Sequence, residues 1–149
     1  MSHVEESIEV NVPVTTAYNQ WTQFASFPQF MDGVERVEQR SDTLTHWTTS
    51  IGGVTREFDA RITEQIPDTR VAWTTVEGEA RQAGVVTFRR LGDTMAQVML
   101  RMEFDPQGLT ETVGDKLGFV KRQVSGDLAR FKRFIEARGA ETGAWRGTV

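Results

Sequence analysis

No cysteine occurs among the 149 residues. Disulfide frameworks, Cys-based zinc sites, iron–sulfur clusters and a thiol nucleophile are therefore excluded, and a reducing compartment is permitted. Histidine is nearly as scarce, with only His3 and His46. Two distant histidines without cysteine do not make a standard zinc site, and they leave no Ser–His–Asp arrangement, so no metal site and no nucleophilic triad are expected. No G-x-G-x-x-G or G-x-x-x-x-G-K-[ST] string is present, and no cofactor is expected. No stretch approaches 18 apolar residues, and the start MSHVEESIEV lacks a basic segment followed by an apolar run. The expectation is a chain with no membrane span and no classical export signal, located in the cytoplasm. Basic charge is sparse too. The 17 Lys and Arg are outnumbered by 21 Asp and Glu, and the arginines are scattered among the acids. Phosphate binding needs clustered cations, so nucleic acid is not an expected partner.

What is present is ordinary for one soluble domain: 38% hydrophobic and 26% charged residues. A chain of this length buries roughly 70% of its extended surface, enough for one core without staples. One domain over 1–139 and a flexible tail over 140–149 are expected, the tail being polar and glycine-rich apart from Trp145. The chain opens with Val4, Ile8, Val10 and Val12 alternating with polar residues, the period of a half-buried strand that Pro13 stops. Ala17, Trp21 and Phe24 then fall at helical spacing, predicting a short helix over 15–24, and Phe27-Pro28-Gln29-Phe30-Met31 reads as a helical turn ending at Asp32-Gly33.

From Val34 to Phe104 runs of Val, Thr, Ile, Trp and Phe are separated by Ser41-Asp42, Gly52-Gly53, Pro67-Asp68, Glu77-Gly78 and Gly92-Asp93. These are hairpin signals with no room for a crossover helix, so six strands should pair as an antiparallel meander. Alternation turns Trp47, Ile51, Phe58, Ala60, Ile62, Val71, Trp73, Val86, Phe88, Val98, Leu100, Met102 and Phe104 to one face, with Glu57, Asp59, Arg61, Arg89, Gln97, Arg101 and Glu103 on the other. The final segment carries Leu109, Val113, Leu117, Val120, Val124, Leu128, Phe131 and Ile135 in steps of three and four, a helical stripe over 109–137 that Gly139 ends.

Seven strands thus present one apolar face, and the last helix is the only element that covers it. A twisted sheet curls around such a helix and touches it mainly along one line, which leaves a cavity. Trp47 and Trp73 are the preferred walls, joined by Trp21, Phe30, Phe58 and Phe88, by Met31 and Met102 as adaptable contacts, and by Leu117, Val120 and Val124 from the helix. Each of these aromatics is, taken singly, equally at home in a plain core. Gly114 and Gly118 share a helix face and suit close packing or ligand space. Among polar groups, Arg56 shares parity with Phe58 and is an alternative between a ligand contact and a solvated side chain, Tyr18 lies off the Trp21 stripe and is expected to face outward, and His46 opposes Trp47 in parity and belongs on the outer sheet face.

Several segments carry a resemblance over residues 3–137: Val12-Pro13-Val14, Tyr18-Asn19-Gln20-Trp21, Phe27-Pro28-Gln29-Phe30-Met31 with Gly33-Val34, His46-Trp47, Glu57 and Asp59 before Ile62, Pro67 with Val71-Ala72-Trp73, Gly84-Val85-Val86-Thr87-Phe88, and Asp127-Leu128-Ala129-Arg130-Phe131-Lys132. With them the sequence resembles the START-like, birch-pollen-allergen-like (SRPBCC) helix-grip superfamily, and within it the polyketide cyclase/dehydrase and lipid-transport family. The resemblance implies an α+β fold in which a seven-stranded curved antiparallel sheet wraps a long C-terminal helix, with two short helices between strands 1 and 2. It implies a function in one of two classes. The first is binding of an apolar small molecule, a polyketide, lipid or quinone, in the cavity between sheet and helix. The alternative is a polyketide cyclase/dehydrase of aromatase type, which requires an inward ionisable residue of suitable pKa. A third reading, an interaction domain using the charged sheet face, ranks last. The expected assembly is a monomer or homodimer.

Overall fold

The computed structural model describes residues 2–51, 53–78, 82–104 and 116–148. Seven strands, β1 (Ser2–Val10), β2 (Val34–Gln39), β3 (Leu44–Ile51), β4 (Val54–Ile66), β5 (Arg70–Gly78), β6 (Gln82–Gly92) and β7 (Met95–Phe104), form one antiparallel sheet in the order β1-β7-β6-β5-β4-β3-β2. β1 crosses over to pair with β7, from Ser2 opposite Phe104 to Val10 opposite Ala96. Two short helices follow β1: α1 (Val14–Trp21) and a 3-10 helix (Phe24–Gln29). The long C-terminal helix α2 is described over Lys116–Arg138. This is the expected α+β arrangement of a curled sheet around one helix. Among the described residues no helix is long and apolar enough to cross a membrane.

The first helix is shorter than the spacing of Ala17, Trp21 and Phe24 predicts. Thr22 ends it by donating its hydroxyl to the Asn19 carbonyl at 2.6 Å, and Phe24 opens the 3-10 helix instead. At the other end of the fold, Gly139 adopts φ +72° and its N–H returns to the Ile135 carbonyl at 2.9 Å, the left-handed stop that glycine makes cheaply.

Four skipped residues among the described ones curl the sheet, the first being Glu35 between Val34 opposite Thr49 and Arg36 opposite Thr48. Thr63 has no partner between Ile62 opposite Trp73 and Glu64 opposite Ala72; Val76 and Leu91 are likewise skipped in the β4–β5 and β6–β7 ladders. Bulges of this kind bend a strand and raise its twist. They also explain two of the exposed large apolar side chains, Val76 and Leu91. The bulge at Thr63 shifts the alternation by one, so that Gln65, opposite Val71, points inward at 1% exposure. Simple parity does not anticipate that.

The concave face is buried as alternation requires: Trp47, Phe58, Ala60, Ile62, Val71, Trp73, Val86, Phe88, Val98 and Leu100 are all in the core. The stripe of α2 meets it through Val124, Leu128, Phe131 and Ile135, all at or below 3% exposure. Leu109, Val113 and Gly114 lie outside the described residues, as do the side chains of Leu117, Ile51 and Phe104. Glu136 accepts the Asn11 N–H at 2.7 Å, and Lys132 donates to the Glu9 carbonyl at 2.8 Å, pinning α2 to the end of β1.

Composition predicts a frayed tail after Gly139; in the structure it runs along α1. The Thr142 N–H donates to Gln20 Oε1 at 2.9 Å, the Trp145 N–H to Thr22 Oγ1 at 3.0 Å, and Arg146 to Asn19 Oδ1 at 2.7 Å. These bonds give partners to the buried polar residues Asn19, Gln20 and Thr22. Polar composition alone carries no sign of such a partner.

If the stripe of α2 closes the core, Val124→Asp should cost about 3 kcal/mol or more by burying an unpaired charge, whereas Lys121→Asp, at an exposed position, should cost under about 1 kcal/mol. Urea denaturation of both variants checks this; equal losses would refute the packing.

Candidate functional site

Leu128, Phe131 and Ile135 fill the concavity on one half of α2, where Phe131 lies 5.3 Å from Trp21 and 5.2 Å from Phe30 between ring centroids. Phe27 links this cluster to Trp47 at 5.7 Å. Towards the start of α2 the described side chains that face the sheet include the shorter Val120 and Val124. A cavity of about 160 Å³ opens between them and the sheet residues Trp47, Thr49, Trp73, Leu100 and Met102, with Met31, Asp32 and Val34 from the segment before β2. Gln82, Gln123 and Asp127 complete its wall. A larger hollow of about 230 Å³ lies on the outer face over Ala72, Thr74, Ala83 and Val85, but it is a shallow surface depression. The inner cavity is the less open of the two, and its wall is mainly apolar.

Its two indoles are held by different means. Trp47 donates its indole N–H to Thr45 Oγ1 at 2.8 Å, and Thr45 passes its own hydroxyl to the Ala60 carbonyl at 3.1 Å. That polar handle is satisfied inside the sheet, so Trp47 offers the cavity an apolar ring, backed by Phe58 stacked at 5.9 Å. Trp73 lies across Gly84, its cross-strand partner, beside Met102, the next residue in register. A Cβ at Gly84 would fall 2.7 Å from Trp73 Cε2 and 2.9 Å from Met102 Sδ. Only glycine lets the ring lie down there.

One end of the cavity is polar. Asp127, with a side chain only 13% exposed, accepts the Asp32 N–H at 3.2 Å, the Gln123 amide at 3.4 Å and a guanidinium N–H of Arg130. Gln123 also donates to the Asp32 carbonyl, and Arg130 to the Phe30 carbonyl at 3.1 Å, so α2 is stitched to the segment before β2. Burial pushes the Asp127 carboxyl up from 3.8 to about 6, against the opposing pull of Arg130 and the Asp32 N–H. Sequence reading missed Asp127 and Gln123 as site residues. The available signal was their position on α2, one turn from Val120 and Val124 on the edge of the apolar stripe.

The profile of the family described as polyketide cyclase/dehydrase and lipid transport matches residues 10–133. The chain belongs to that family. An uncharacterized 17.2 kDa protein of Streptomyces lincolnensis, from the melC2-rnhH intergenic region, is 74% identical over all of this chain and 99% of its own length. Among solved structures, an aromatase/cyclase of Streptomyces sp. R1128 superposes with a TM-score of 0.75 at 16% identity, covering 97% of this chain and 99% of that one. A START superfamily protein of Mycobacterium smegmatis does so at 0.72 and 14% identity, covering 91% and 95%. These likenesses show the START-like fold of the family.

Of the family-type pocket residues named from sequence, Met31, Trp47, Trp73, Met102, Val120 and Val124 are brought together around the cavity. Four aromatics of that set are elsewhere. Trp21 and Phe30 lie in the aromatic cluster with Phe27 and Phe131, Phe58 lies behind Trp47, and Phe88 packs edge-on against Tyr18 at 5.4 Å. Inward parity puts a residue in the core, but its position along the strand decides whether core atoms or the cavity lie above it. Arg56 is half-buried opposite Thr49 and does not line the cavity. Tyr18 corrects an expectation: it is fully buried, with Arg146 5.7 Å above its ring, because the tail covers the side of α1 that the stripe leaves open. Burial pushes its hydroxyl above the usual phenol range. His46 is on the outer face as parity requires, Nδ1 at 2.6 Å from Asp59 and Nε2 at 3.1 Å from Glu57, and these bonds raise its pKa.

Two outcomes follow from this geometry. Gly84→Ala should cost about 1 to 3 kcal/mol and shift tryptophan emission, since the new methyl drives Trp73 off the sheet into the cavity; unchanged melting and emission would contradict the contact. Because the folded-state pKa of Asp127 lies above its unfolded value, the group favours folding while protonated, and this contribution is lost as pH rises from about 4 through about 6. Asp127→Asn should therefore melt higher than wild type at pH 7, by a stability gain on the order of 2 to 3 kcal/mol, with the gap closing at pH 4. Denaturant titrations at both pH values test it.

Proposed function

We propose that this chain binds an apolar small molecule, of the polyketide, lipid or quinone-like kind, in the cavity between the sheet and α2. The observation that carries the reading is the cavity itself: about 160 Å³ walled by Trp47, Trp73, Leu100, Met102, Val120 and Val124. Apolar cavities of roughly 150 Å³ stay dry and take up a benzene-sized ring. Both indoles face inward, so the interaction-domain reading loses its ground, and family membership is in keeping with a ligand carrier. In this proposal Met31, Trp47, Trp73, Met102, Val120 and Val124 are the contact residues, residues 1–139 are the binding domain, and the protein works in the cytoplasm as a monomer or homodimer.

The cyclase/dehydrase alternative has one observation in its favour, the inward carboxyl of Asp127 with its pKa of about 6. It stands second because only one other titratable group accompanies that carboxyl among the described residues. Apart from Asp127, the exposed Asp32 is the only titratable residue lining the cavity among the described residues. Turnover of a short poly-β-ketone that Asp127→Asn abolishes would reverse the order.

A ligand that binds only the folded state adds RT ln(1 + [L]/Kd), about 2.7 kcal/mol at a hundredfold excess over Kd. Ethylbenzene or naphthalene should accordingly raise the melting temperature, and Trp47→Ala and Trp73→Ala should weaken that response more than Trp145→Ala. No shift with either compound, or equal loss in all three variants, would refute the site.

A further inference from the structure

The hydrogen bonds of Asp127 are one-sided. The Asp32 N–H, the Gln123 amide and the Arg130 guanidinium all donate to Oδ1, and among the described residues no donor reaches Oδ2. The same side chain lines the cavity, and two neighbouring polar groups on the wall are already engaged. Gln123 gives its amide N–H groups to Asp32 and Asp127, and Thr49 gives its hydroxyl to the Arg56 carbonyl at 3.4 Å. At the α2 end of the site the Asp127 carboxyl thus keeps one oxygen without a donor among the described residues.

We propose that the cavity selects apolar ring compounds that carry a hydroxyl at one end, with Asp127 Oδ2 accepting the hydrogen bond from that hydroxyl. The inference rests on the ligand-binding reading of the cavity and names its ligand class. Three donors on Oδ1 have a further consequence. When the carboxyl takes a proton, the proton sits on Oδ2, since Oδ1 faces only N–H groups, and the group presented to the ligand turns from acceptor into donor. Asp127→Asn copies this state permanently. The same three donors hold the amide oxygen at the Oδ1 position and leave Nδ2, a donor, facing the ligand. The charged groups acting on Asp127 are Arg130 on its own helix and Asp32 on the facing segment, and with a carboxyl pKa of about 6 the reversal falls in an accessible pH range.

The probes are 4-ethylphenol and 4-ethylanisole, alike except that a methyl ether replaces the hydroxyl, titrated against the full chain by ligand-observed NMR at pH 8 and pH 5. A hydrogen bond to a charged acceptor corresponds to about tenfold or more in affinity. Wild type should favour the phenol by about that factor at pH 8 and lose the preference at pH 5, while Asp127→Asn should show no preference for the phenol and no change with pH. Should the variant fail to fold, the wild-type pH comparison decides alone. Equal affinity of the two probes for wild type at pH 8, or a phenol preference that survives in Asp127→Asn, overturns the hydroxyl assignment and leaves the cavity reading standing. Failure of both probes to bind wild type overturns the cavity reading and the assignment together.

Discussion

A sheet with one apolar face and a single helix to cover it is the constraint on which the rest depends. The face is curved by bulges at Glu35, Thr63, Val76 and Leu91, so the helix axis meets it along a line and the volume to either side must be filled by side chains or left open. Large rings fill one half. Trp21, Phe27, Phe30 and Phe131 make a continuous cluster that joins α1, the 3-10 helix and α2, with Trp47 at its edge. The other half meets Val120 and Val124 among the described α2 side chains, and there the cavity lies. Filled core and open volume are thus divided along one helix.

Asp127 stands at the boundary between the two halves. It follows Val124 by one turn and precedes Leu128, and its carboxyl lies where the chain passes from filled core to open cavity. Its bonds to Arg130, Gln123 and the Asp32 N–H tie α2 to the segment that carries Phe30 and Met31. A buried carboxylate is costly unless it is bonded, and here the bonding is confined to one oxygen. Such an arrangement sacrifices stability at neutral pH for a polar point in an otherwise apolar enclosure. On the outer face, by contrast, His46 with Asp59 and Glu57 forms a solvent-side cluster on the far side of the sheet from the cavity.

Much of this was legible in the amino-acid sequence. The turn dipeptides and the period of two marked off the six strands of the meander, and the steps of three and four through Val124, Leu128, Phe131 and Ile135 marked the buried side of α2. Inward parity named the two indoles that wall the cavity. These readings succeeded because they depend on local geometry: a strand alternates and a helix repeats wherever it lies.

What the sequence by itself determined is therefore the set of elements, the face each one buries and the family to which the chain belongs. Tertiary structure alone decided the rest. Whether an inward aromatic meets a neighbouring ring, as Phe88 meets Tyr18, or open volume, as Trp73 does, depends on what lies across the sheet rather than on its own strand. The burial of Tyr18 and Gln20 required the tail, which is more than a hundred residues away, and the direction of Gln65 required the Thr63 bulge. The raised pKa of Asp127 required a segment from before β2 to close over it and exclude water. Each of these is a contact between distant parts of the chain, and no periodicity within one element encodes its partner in another.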